Sequence, residues 1–176
     1  MTRRILTGCL LFVLCTVAVR AGDPPAKAPA AQSALEKMKS LVGTWVEADK
    51  DGKPTDKVVS IVKLTAAGSA VHETIFPGQP MEMVSVYHQD GPDLIMTHYC
   101  ALGNQPRMKA DPKSGPNEIH FAFAGGTNLD PTKDRHMHEA TLKFIDADHI
   151  ELEGSAWVDG KPSKDHCGQM KLVRKH

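Results

Sequence analysis

An all-β fold is what the sequence predicts: an antiparallel meander of about ten strands, closed into a barrel and preceded by a short N-terminal helix. Three observations carry this. From Gly43 onward apolar and polar residues alternate with a period of two; Gly, Pro and Asp clusters cut that alternation into short segments; and helical periodicity is confined to a few residues before Gly43. The 176-residue chain is 41% hydrophobic and 24% charged, which suits one ordinary domain with a core rather than a disordered chain. Its 21 Lys plus Arg balance 21 Asp plus Glu, so no general basic field exists to hold a nucleic-acid backbone. No internal repeat of solenoid length is present.

Residues 1–21 read as a secretory signal peptide. Thr2-Arg3-Arg4 supplies the positive start, Ile5 to Val19 the apolar run, and Val19-Arg20-Ala21 a small-residue end, with a cut nearer Ala18 as the alternative. The run is shorter than the roughly 20 residues a membrane-spanning helix needs. Leu6-Thr7-Gly8-Cys9 resembles a lipobox, but the apolar run follows the cysteine instead of preceding it, so lipidation is not expected. Cleavage after Ala21 removes Arg3, Arg4 and Arg20 and no acid, leaving an excess of three acids. The protein is therefore expected to be exported, periplasmic or extracellular, with no stable membrane anchor after cleavage. Residues 22–32, rich in Pro and Ala, read as a flexible linker, and residues 33–176 as the domain. Ser33 is the expected N-cap of the helix, with Glu36 at its third position and Leu35, Met38 and Leu41 at helical spacing.

The expected strands are Thr44 to Ala48, Val58 to Thr65, Ala70 to Phe76, Met81 to His88, Asp93 to Ala101, Arg107 to Asp111, Glu118 to Ala124, His136 to Ile145, His149 to Val158 and His166 to Val173. Two hairpins can be registered from the letters. An Asp90-Gly91 turn sets Tyr87 opposite Leu94, Ser85 opposite Met96, Met83 opposite His98 and Met81 opposite Cys100. A three-residue loop at Asp146-Ala147-Asp148 sets Phe144 opposite Ile150, Leu142 opposite Leu152, Ala140 opposite Gly154 and His138 opposite Ala156, with Lys143 meeting Glu151 on the other face. Short-linked strands of this number hide their edges by closing into a barrel.

Leu41-Val42-Gly43-Thr44-Trp45, a Gly-x-Trp between a short helix and the first strand, resembles the opening of lipocalin-like (calycin) barrels. That resemblance implies a structural Trp45 closing one end of the barrel under the helix, and secreted lipocalin-like bacterial proteins of unassigned function are the nearest likeness. Haem-carrying ten-stranded barrels are a more distant one. Val46-Glu47-Ala48-Asp49 stands here in place of their glycine-rich continuation, so haem is the lesser expectation.

Side-chain parity places His98 with Leu94, Met96 and Cys100, His136 and His138 with Ala140 and Leu142, and His166 with Met170 and Leu172. Strand direction then brings His98, Cys100, His136, His138 and His166 to one rim facing inward, opposite Trp45. Imidazoles and a thiolate there suit Zn or Cu, and side chains two apart on a strand start about 6.6 Å apart. The plainer alternative is a polar barrel mouth facing water. Cys100 and Cys167, the cysteines left after cleavage, are candidates for a disulfide or for free thiols, parity opposing the bond because it points them to opposite faces.

The leading functional expectation is a small-molecule binding barrel for a partly apolar ligand, with Met81, Met83, Tyr87, Met96, His98 and His138 lining the site. The alternatives are a metal-binding or metal-dependent protein using the His/Cys rim, and a structural envelope domain with a filled barrel. No catalytic residue is assigned: Ser85 and His98 face inward, but no acid is placed to orient the His, and no catalytic motif is present.

Overall fold

The computed structural model describes residues 33–163 and 168–176. The expected signal peptide (1–21) and linker (22–32), together with His166 and Cys167, lie outside the described residues. Helix α1 (Ala34–Lys39) starts where Ser33 caps it, the hydroxyl accepting the Glu36 N–H at 3.2 Å. Glu36 pairs with Lys39 at 2.8 Å. Leu35, Met38 and Leu41 turn into the core.

The strands are β1 (Gly43–Ala48), β2 (Pro54–Thr65), β3 (Ala70–Ile75), β4 (Met83–Asp90), β5 (Asp93–Tyr99), β6 (Gln105–Ala110), β7 (Glu118–Thr127), β8 (His136–Phe144), β9 (His149–Val158), β10 (Lys161–Pro162) and β11 (Gly168–Lys175). Each of β1 to β8 pairs with the next, and β11 lies between β9 and β1, so ten antiparallel strands close into a barrel with β10 as a short addition to β9. Closure leaves the barrel strands paired on both sides, which removes open edges. The architecture fits a lipocalin-like barrel fold.

Two hairpins differ locally from the sequence expectation. The β4–β5 hairpin pairs Asp90 with Asp93 and Tyr87 with Met96, two residues displaced from the expected register. Gly91 takes φ +57, and Pro92 cannot follow with a positive φ, so the turn is built on Gly91-Pro92, with glycine first as a II′ turn requires, rather than on Asp90-Gly91. A displacement of two preserves parity, and every side chain keeps its face. The β8–β9 hairpin has the expected register from Phe144–Ile150 to Ala140–Gly154, with Lys143 opposite Glu151, although the ion pair to Glu151 comes from Lys171 at 3.4 Å. Beyond that point a bulge between Met137 and Glu139 moves the pairing to Met137–Ala156 and His136–Trp157, so His138 has no strand partner.

The chain direction separates two ends. At the lower end, where β1 begins, Trp45 is fully buried and donates its indole N–H to the Leu41 carbonyl at 2.8 Å. The Arg174 guanidinium lies 4.4 Å from its ring centroid and donates to the Val42, Ser40 and Ala147 carbonyls while pairing with Asp148 at 3.1 Å. At the upper end β3 stops at Ile75, and Phe76 adopts φ +54, in the left-handed region that bulky residues avoid. Among the described residues no helix is long and apolar enough to cross a membrane.

Candidate functional site

Between the two ends the barrel is hollow. A cavity of about 360 Å³ opens at the upper end and reaches halfway down; below it only about 30 Å³ remains beside Trp45. This volume does not agree with the expectation of a filled barrel. Its wall is apolar and soft: Met81, Met83, Met96, Met137 and Met170 line it with Phe76. The fourth strand starts at Met83, so Met81 lines the mouth from the preceding turn and is more than half exposed.

The floor is polar. Glu73 on β3 is 7% exposed and is flanked on its strand by Val71 and Ile75. Its Oε1 accepts from the Ser60 hydroxyl and its Oε2 from the Tyr87 hydroxyl, both at 2.6 Å, the length of charge-assisted O–H···O bonds. Burial, and then the neighbouring Glu73, push the Tyr87 phenol well above its ordinary value, so it keeps its proton and donates. Strand pairing continues the row: Glu73 lies opposite Ser85, and Ser85 opposite His98, whose Nδ1 is 3.0 Å from the Ser85 hydroxyl. The two-residue register displacement is what turned a diagonal Ser85–His98 relation into a direct one. Burial pushes the His98 imidazole down to about 4, and the ring is neutral at pH 7.

The row runs acid, serine, histidine. A hydrolytic triad needs the histidine in the middle, with the acid bonded to its far nitrogen. Glu73 instead spends its oxygens on Ser60 and Tyr87, so Ser85 and His98 are not arranged as an activated nucleophile.

Of the residues expected from the sequence, Met81, Met83, Tyr87, Met96, His98, Cys100 and His136 line the cavity. His138 does not. The bulge removes it from the inward face, and its ring stacks on Trp157 (centroids 3.8 Å, 11°) and on Phe123 (4.8 Å, 19°). His136 is fully buried. Its Nδ1 donates to the Asp134 carbonyl at 2.8 Å, and its Nε2 shares a hydrogen bond of 2.9 Å with His138 Nδ1. Burial, then the charge of His136, lowers the His138 pKa. Cys100 is a free thiol on the cavity wall. Among the described residues no three His, Cys, Asp or Glu side chains are placed to hold one metal ion; His166, the remaining member of the expected rim, lies outside them. The sequence reading passed over Glu73 and Ser60, although the alternation Val71, Glu73, Ile75 marks an acid on an inward face.

No family model matches the chain, and no curated protein sequence matches it significantly.

Proposed function

We propose that the protein is an exported, lipocalin-like binding protein that holds a small, partly apolar molecule in the upper half of its barrel. The observation that carries this is the cavity of about 360 Å³, within the size range of small-molecule sites, apolar on its walls and with a few convergent polar groups at its floor. Methionines on opposite sides adapt to an occupant without a fixed shape. The polar contacts come from Tyr87 and Glu73 at the floor and from Ser85 and His98 on the wall beside them. Export rests on the charged start, apolar run and small-residue end of residues 1–21.

Fluorescence titration with N-phenyl-1-naphthylamine tests the binding. A single saturable site is expected, abolished by Ala140→Phe, which fills the cavity floor. Absence of saturable binding, or unchanged binding in a folded Ala140→Phe variant, would remove the proposal. Mass spectrometry of the protein recovered from its native compartment tests export, and a mature chain still beginning at Met1 would contradict it.

A further inference from the structure

Glu73 poses an electrostatic problem that the described part of the protein leaves unsolved. Both carboxylate oxygens receive short hydroxyl bonds, from Ser60 and Tyr87. That is the pattern of an ionised acceptor, since a protonated carboxyl would have to donate one of its own bonds. Yet among the described residues no lysine or arginine completes an ion pair with it. A buried carboxylate without a counter-charge is destabilising unless something pairs with it. His98, the nearest imidazole along the polar row, is neutral at pH 7 and bonded to Ser85. The basic side chain of the cavity wall, Arg135, stands at the rim before β8, a different layer from the floor.

The carboxylate lines the cavity, and each oxygen has lone-pair capacity beyond the one hydroxyl it accepts. Above it stand thioethers and Phe76, surfaces that bear an apolar body. We infer that the missing counter-charge belongs to the ligand, and that the cavity takes an amphiphilic organic cation, a protonated amine on an apolar body, with its ammonium on Glu73. This deepens the small-molecule reading and rests on it. It reverses the polarity that a histidine-rich mouth suggests, because the charge that selects the ligand is negative and lies at the floor.

The test compares three probes of equal chain length at pH 7.5, octylammonium, 1-octanol and octanoate, by displacement of N-phenyl-1-naphthylamine from the full chain. Octylammonium should bind about tenfold tighter than octanol, corresponding to a charge-assisted contact of about 1.4 kcal/mol, with octanoate weakest. In Glu73→Gln the preference for the amine over octanol should fall to within about twofold while octanol still binds. The wild-type series stands on its own if the variant fails to fold. Octanol equal to octylammonium, octanoate tighter than either, or an amine preference that survives in folded Glu73→Gln overturns the cation assignment alone. Failure of N-phenyl-1-naphthylamine and all three aliphatic probes to bind overturns the binding-protein reading as well.

Discussion

Around Trp45 the barrel is filled, whereas around Met83 and His98 it is hollow, and the same ten strands build both halves. At the filled end a helix, an indole and a guanidinium converge, with the Trp45 N–H and the Arg174 guanidinium bonded to backbone carbonyls. At the hollow end the polar side chains bond to one another, Ser60 and Tyr87 to Glu73 and Ser85 to His98, around a space of about 360 Å³. A packed end concentrates stability, and a hollow end forgoes dispersion contacts but leaves room for another molecule. Substitutions should therefore act on stability at one end and on binding at the other.

Trp45→Ala should produce the largest effect, a loss of about 3 to 5 kcal/mol in urea denaturation, because the indole is fully buried and bonded. A smaller loss than that of any hollow-end substitution would break the contrast between the ends.

Acid should act next, and on the hollow end. His98 takes up a proton near 6.5 in the unfolded chain but only near 4 in the folded one. The unfolded chain thus binds more protons in that window, and stability falls as the pH drops from 6.5 to 4, by about 3 kcal/mol at most. His138, lowered by burial and by His136, contributes in the same direction. Unfolding free energies across this range should flatten in His98→Gln, and an unchanged slope in that variant would show that other groups carry the acid sensitivity.

Met83→Ala should cost about 1 kcal/mol, below the ~2 to 5 of a methionine in a packed core, since its side chain already borders open space. The same variant should weaken N-phenyl-1-naphthylamine binding measurably. Last, Lys109→Ala breaks the 2.7 Å pair with Asp93 on the outer surface, where both side chains are about a third exposed or more, and should change stability by less than about 1 kcal/mol. A larger loss would mean that the outer surface shares the work assigned here to the filled end.

The difference between the ends also governs what could be read beforehand. The alternation of side chains places Met96 and His98 on the cavity side of β5, with Cys100 just beyond its end, and the Gly-x-Trp after a short helix marks the closed end; both follow from local pattern. Parity survives a displaced hairpin because a shift of two leaves each face intact, which is why Tyr87 and Met83 line the cavity despite the Gly91-Pro92 turn. It does not survive a bulge. One extra residue at His138 turned that ring onto Trp157, and no letter near it marks the insertion.

The sequence by itself therefore determined the strand succession, the inward faces and the buried tryptophan, since these depend on a two-residue period and on neighbours along the chain. Tertiary structure alone decided that Glu73, Ser85 and His98 form one row, that Ser60 and Tyr87 meet on one carboxylate, and that the barrel stays open above them. Such contacts join strands whose register is set by turns, bulges and closure of the whole sheet, and a hollow depends on how side chains from many strands fill the middle. Neither quantity has a local signature in the chain.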